Sequence, residues 1–258
     1  MSALQWLGPL SICIGIACCQ QQADVSWEPL FNDQDLTGWI PKITGYPLGE
    51  DPDSTFRVVD GRIIVTYAEY DSFAQRFGHL FYEAPFKHFH LRVDYRFVGE
   101  QLAGGPEWAL RNSGVMFYSQ PPETMGRDQD FPISLEAQFL GGNGSDPRTT
   151  MNLCTPGTHV IMGDRLVTDH CVSSSSRTFH LDTWVTAEII ATADEIIHLT
   201  QGDTVLRYSQ PSIGGGVVAG YDPAYKTDGM ALTGGYLALQ SESHPIEFRR
   251  IEVRRLPD

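Results

Sequence analysis

Apolar and polar residues alternate with a period of two along most of this chain, and turn residues break the alternation at short intervals. Phe89, Leu91, Val93, Tyr95 and Phe97 alternate with His90, Arg92, Asp94 and Arg96. Successive side chains of a strand point to opposite faces, so this segment predicts one long strand with a single core face. Phe56–Val59 and Ile63–Thr66 flank Asp60-Gly61. That dipeptide suits a type I′ turn, because both central residues need positive φ, and it predicts a hairpin. The same reading predicts strands over Ile133, Leu135, Ala137 and Phe139, over Val185, Ala187, Ile189 and Ala191, and over Leu237 and Leu239. A last strand holds Ile246, Phe248, Ile251 and Val253, and a second hairpin turns at Gln201-Gly202-Asp203. No stretch holds a helical period over three turns. Many short strands with Gly- and Pro-rich connections predict an all-β sandwich or jelly roll. Residues 99–112, 119–132, 141–183 and 209–233 read as long irregular loops, where binding sites on β-scaffolds usually lie.

The first 27 residues do not share this pattern. Leu4 to Cys19 is uncharged and mostly apolar, and no Lys or Arg precedes Lys42. The run is short for a membrane span and fits the apolar core of an export signal. It ends Gly15-Ile16-Ala17-Cys18-Cys19. A small residue before a cysteine resembles a bacterial lipobox, with Cys18 the lipidated residue and Cys19 the other candidate. Residues 1–27 are therefore expected to be leader and tether, and residues 28–258 a single folded domain. The expected location is outside the cytoplasm, periplasmic or at the cell surface, with the membrane touched only through the lipid. Cys154 and Cys171 are the two cysteines left in the mature domain. An even pair in an exported chain predicts a disulfide. The net charge of −14 argues against nucleic acid, whose phosphates would repel such a protein.

Within the predicted strands, certain polar residues fall opposite the core face. Over 133–140 the apolar residues take odd positions, so Glu136 and Gln138 project outward. In the closing strands Leu237 and Leu239 oppose Gln240 and Glu242, and His244 follows, held by Pro245. Asn112 and Ser113 read as the turn into a strand over 114–119. Trp39, Trp108, Trp184 and Tyr118 are either stacking platforms for sugar rings or core. Asn152, His159, Asp169 and His170 include metal-ligand types, but no spacing among them spells a metal motif. A divalent metal is thus compatible with the chain and is assigned no residues.

Several segments, taken together, resemble the 3-keto-disaccharide hydrolase family. Leu30-Phe31-Asn32-Asp33-Gln34-Asp35-Leu36-Thr37-Gly38-Trp39 is similar to the family's opening LFNGKDLTGW. Phe56 to Gly61 resembles its W-x-V-x-D-G hairpin, with Phe56 in place of the usual Trp. Asn112-Ser113-Gly114-Val115, Glu136-Ala137-Gln138, and Gly235 to Gln240 followed by His244 to Arg249 match its NSG, E-x-Q and closing motifs. The resemblance spans roughly residues 28–256, and insertions at 99–111 and 141–183 depart from shorter members. It implies a concanavalin-like jelly-roll β-sandwich of two curved antiparallel sheets, commonly exported and lipid-anchored. The implied activity is cleavage of 3-keto-glycosides. A C3 ketone acidifies the C2 hydrogen; a base removes it, the enolate expels the C1 substituent with help from an acid, and water adds afterwards.

That chemistry needs a base, an acid and a site for the enolate oxygen. The expected assignment makes Glu136 the base and His244 the acid, with Glu242 beside them. Asn112, Ser113, Gln138 and Gln240 bind substrate, with a carbohydrate as the partner. Two further classes stay open. A non-catalytic carbohydrate-binding module needs no acid or base. A conventional glycoside hydrolase needs paired carboxylates and an unoxidised sugar.

Overall fold

The computed structural model describes residues 26–257. Its strands, in chain order, are β1 (Glu28–Pro29), β2 (Trp39–Ile43), β3 (Phe56–Val59), β4 (Arg62–Val65), β5 (Gly78–Tyr82), β6 (Phe89–Phe97), β7 (Asn112–Ser119), β8 (Leu135–Leu140) and β9 (Asn152–Cys154). They continue as β10 (Thr158–Met162), β11 (Arg165–Val167), β12 (Cys171–Val172), β13 (Val185–Ala191), β14 (Ile196–Thr200), β15 (Asp203–Ile213), β16 (Tyr236–Ser241) and β17 (Ile246–Arg255). Among the described residues, the helices are single 3₁₀ turns.

The strands form two antiparallel sheets. One is ten-stranded, ordered β11-β10-β15-β14-β13-β6-β17-β4-β3 with β1 paired to β17. The other is seven-stranded, ordered β12-β9-β8-β7-β16-β5-β2. The inner faces of β6, β13 and β17 meet those of β7, β8 and β16 in one buried apolar cluster. Tyr95 of β6 stacks flat on Phe139 of β8, 4.1 Å between ring centroids, and so fixes the two sheets against each other. This is the all-β sandwich expected from the alternation.

Local rules hold where they were read. Asp60 and Gly61 both have positive φ, 49° and 70°, as the type I′ turn between β3 and β4 requires. In β17 the core residues step by two, then by three from Phe248 to Ile251. The extra residue is a bulge: the register against β6 shifts between Arg249 and Glu252, and Arg250 has φ 47°.

Three loop expectations are corrected. Asn112 and Ser113 belong to β7 itself rather than to a turn before it. The 141–183 region carries β9 to β12, and β15 runs on to Ile213. Strands of two to five residues are too short to show alternation. β2 and β5 also escaped the period-two reading. β5, Gly78-His79-Leu80-Phe81-Tyr82, is buried over its first four residues, and a strand covered on both faces shows no alternation.

Candidate active site

The outward face of the seven-stranded sheet is built by cross-strand register. Glu136 of β8 lies opposite Met116 of β7 on one side and Cys154 of β9 on the other. Cys154 in turn pairs with Cys171 of β12, to which it is joined by a disulfide. Gln138 lies opposite Gly114 and Asn152. A pocket of about 570 Å³ opens on this face. Its polar lining is Asn112, Glu136, Gln138, Arg148, His170 and Glu242, and its apolar lining includes Trp108, Phe131, Pro156 and Val217. That volume is in the usual range for sites enclosing a drug-sized ligand.

Glu136 and Glu242 dominate the electrostatics. They are 5 % and 3 % exposed, and Glu136 Oε1 and Glu242 Oε2 have no hydrogen-bond partner. Burial pushes the Glu136 carboxyl up to about 8. Burial together with the charge of Glu136 drives Glu242 well above the usual carboxylate range. Two buried carboxyls that feel each other's charge resist ionising together, so the pair holds protons to higher pH than free carboxylates do.

Glycine makes room for this arrangement. A Cβ at Gly114 would lie 2.7 Å from Glu136 Oε1 and 2.9 Å from its Cγ. The Glu136 side chain thus leans across the bare backbone of β7.

Other residues hold the pair. Gln240 is fully buried, and its Nε2 donates to Glu242 Oε1 at 3.0 Å. Ser113 points to the interior side of β7 and donates to the Gln240 carbonyl at 2.8 Å. Gln138 accepts from Asn152 Nδ2 at 3.1 Å, while Asn112 Oδ1 is buried without a partner. Arg148 donates through Nη1 to the Leu110 and Gly141 carbonyls, both at 2.7 Å, which fixes a cation in the pocket wall.

The structure brings Glu136, Glu242, Asn112 and Gln138 to one pocket. Ser113 and Gln240 are not among the lining residues and are linked to the pair through the hydrogen bonds given above. His244 differs most from expectation. It is 1 % exposed, packs edge-on against Phe97 at 5.7 Å, and is not among the pocket-lining residues. Burial and the charges of Arg111 and Arg148 lower its pKa to about 4, so the ring is neutral at pH 7.

Sequence reasoning did not find Arg148, Phe131, Pro156 and Val217, and it named His170 only as a metal-ligand type. All come from the irregular segments, whose path no periodicity predicts. Of the aromatic candidates, Trp108 reaches the pocket and is 53 % exposed, stacked on Phe77. Trp39 and Tyr118 are core. Trp184 lies between Arg96 and Arg249 on the far sheet. Among the described residues, one group has metal-ligand proximity: Cys154, His170 and Cys171, with ligand atoms within 4.8 Å of one another. Both sulfurs are engaged in the disulfide.

Comparisons with known proteins bear on the whole chain. A family model described as a 3-keto-alpha-glucoside-1,2-lyase-like domain matches residues 26–254. Two crystal structures of candidate glycosyl hydrolases from Parabacteroides distasonis ATCC 8503 share the fold. One has TM-score 0.53 at 16% identity, covering 90% of this chain and 100% of that one; the other has 0.54 at 15%, covering 90% and 94%. The VIP36 exoplasmic/lumenal domain, solved with Ca²⁺ and Man3GlcNAc, aligns with TM-score 0.50 at 9% identity over 88% of this chain and 90% of that one. Comparison with curated protein sequences finds no match.

Proposed function

Because the chain belongs to the 3-keto-alpha-glucoside-1,2-lyase-like family, we propose that it is an exported, carbohydrate-active enzyme that cleaves 3-keto-glycosides. The observation that carries this reading is the pair of buried carboxyls, Glu136 and Glu242, with unpartnered oxygens on one pocket. Of the two, Glu136, whose side chain leans over the bare backbone of Gly114, is assigned as the base. Glu242, held up further by Glu136, keeps its proton and is the acid. Glu136 takes the C2 hydrogen as a proton, and the electron pair moves into the C2–C3 bond, leaving negative charge on the C3 oxygen. Arg148 and the Asn112 amide, both in the pocket lining, are the candidates to stabilise that oxygen. The enolate then collapses: the C1–C2 double bond forms, the C1–O bond breaks, and Glu242 protonates the departing alkoxide. The products are a 3-keto-glycal and an alcohol, and water adds to the glycal to complete a net hydrolysis. His244, neutral because burial lowers its pKa to about 4, is assigned no step in this scheme.

The disulfide fits export, and no helix among the described residues is long and apolar enough to cross a membrane. Attachment through Cys18, or Cys19, is the proposed link to the membrane; both lie outside the described residues.

Incubation with matched 3-keto and ordinary glucosides tests the reading. Turnover of the keto substrate alone is expected. Binding without turnover would make the protein a carbohydrate-binding module. Cleavage of the unoxidised glucoside would make it a conventional hydrolase and overturn the proposal.

A further inference from the structure

The pocket is chemically lopsided along the sheet. Asn112, Glu242, Glu136, Gln138 and Arg148 gather toward β7 and β8, with Trp108 and Phe131 on that flank. Toward the sheet edge, past Glu136, the wall is the Cys154–Cys171 disulfide, Pro156 and Val217, with His170 as its one polar side chain. Register makes the disulfide the direct neighbour of Glu136, since Glu136 pairs with Cys154 and Cys154 with Cys171.

Val217 adds an independent sign that this wall is built for contact. It is β-branched, yet has φ 55°, a left-handed conformation such residues adopt only under strain. Its apolar side chain is 54 % exposed. The loop is pinned beside Pro156 by hydrogen bonds in both directions: Gly157 N–H donates to Gly216 at 2.9 Å, and Gly214 N–H donates to Gly157 at 3.0 Å. His170 is fixed by its backbone carbonyl, which accepts from the Thr155 N–H at 2.8 Å, while its ring Nδ1 is buried without a partner. Folding spends strain here to hold an apolar residue at the mouth of a polar pocket.

We propose that this edge half is the leaving-group subsite, and that it selects a 3-keto-glycoside whose leaving alcohol carries an apolar ring rather than a second sugar. This deepens the functional reading above and rests on it. The elimination fixes the geometry: the substituent on C1 must lie next to the carboxyls, and the edge half is continuous with them. A glycosyl leaving group would press several hydroxyls against proline, valine and disulfide sulfur. Those hydroxyls would lose water and find only His170 in return. A cyclic hydrocarbon alcohol loses nothing by the same contact and gains from burial. His170, neutral because burial lowers its pKa, offers that alcohol one hydrogen bond without a charge.

The test compares two 3-keto-glucosides with the same glycosyl unit, one with a cyclohexyl and one with a glucosyl leaving group joined through a secondary hydroxyl. Both leaving groups are secondary alcohols, but the glucosyl hydroxyl is the more acidic and departs more readily, so the ratio of kcat/KM is divided by the ratio of uncatalysed elimination rates and then reports the subsite. The wild type is expected to favour the cyclohexyl compound by roughly tenfold or more, the order of discrimination that small apolar contacts give. Val217→Asn should shift the ratio toward the glucosyl compound by about the same factor, because asparagine tolerates left-handed φ and adds hydrogen-bonding groups. His170→Gln, which retains one donor and one acceptor, should perturb the ratio less than His170→Ala. Equal ratios in wild type and Val217→Asn, or a wild-type preference for the glucosyl compound, would overturn the proposal. If neither compound is turned over, the reaction reading fails. Calorimetric affinities for the unoxidised cyclohexyl and glucosyl glucosides then decide the subsite question separately, with the same expected ratio and the same reversal.

Discussion

Glu136 shows how much one side chain can be asked to do by its surroundings. Its strand position was legible from the alternation of β8, because every second residue is apolar and core-facing. Its ionisation was not, because its burial depends on neighbours brought in from other strands, Gly114 and Met116 of β7 and Cys154 of β9. Glu136→Gln should keep the fold and substrate binding while lowering kcat by about 10²–10⁴-fold, measured on a confirmed keto substrate. Near-normal activity would remove Glu136 from the base role. A second outcome follows from proton linkage. The Glu136 pKa is raised from 4.5 to about 8, so the native state binds more protons than the unfolded chain between those values. Its contribution to stability is complete below about pH 4.5 and falls as pH rises through about 8. Melting temperatures at pH 5 and pH 8 should therefore diverge more for the wild type than for Glu136→Gln. The kinetic sign is opposite. The base must be ionised, so kcat/KM should climb with pH toward about 8, an alkaline optimum unlike that of a free carboxylate. Gln240 and His244 mark the limit of reading at this scale. Alternation correctly turned Gln240 away from Leu237 and Leu239, yet an outward position proved to be a covered one. Its amide serves Glu242, and His244 is sealed against Phe97.

At the scale of elements, β7 and β8 form one device. Gly114 has ordinary extended backbone, so its role is space and not conformational freedom. Gly114→Ala puts a methyl group 2.7 Å from the Glu136 oxygen and 3.0 Å from the Ala137 carbonyl. The carboxylate can swing away more readily than the backbone can part. The expected result is a large loss of kcat with a small change in melting temperature; unchanged kinetics would show that Glu136 does not need the gap. The β9–β12 pair depends on a different device. β12 has two residues and pairs with β9 alone. The disulfide closes a sequence separation of 17 residues, for which chain entropy gives about 3 kcal/mol. Cys154→Ser with Cys171→Ser should lower the melting temperature by roughly 6–12 °C for a domain of this size. A shift under about 2 °C would show that strand pairing alone carries the edge. The disulfide could be read from cysteine count and export. The strands it joins could not, since two- and three-residue segments have no period. The bulge in β17 was legible in hindsight from spacing alone: the three-residue step between Phe248 and Ile251 returns both to the core only if one residue is extruded.

At the scale of the molecule, the two sheets present opposite outer surfaces. The seven-stranded sheet carries the pocket. The outer face of the ten-stranded sheet carries ion pairs such as Arg92–Glu188 and Arg96–Glu247. Trp27 packs on that second face, its ring between the guanidiniums of Arg92 and Arg254, at 4.1 and 4.3 Å, with His90 edge-on at 4.8 Å. Trp27 is thus packed against the folded domain. It sits at the start of the described residues and on the side opposite the pocket. If the preceding segment is a lipid-linked tether, the pocket faces away from the membrane and the soluble glycoside reaches it without crossing the anchored surface. Mass spectrometry of the native protein decides the premise. The mature N-terminus should be Cys18, or Cys19, carrying the added mass of a diacylglyceryl group. An intact Met1 in native protein would rule out both the cleavage and the anchor, and with them this orientation.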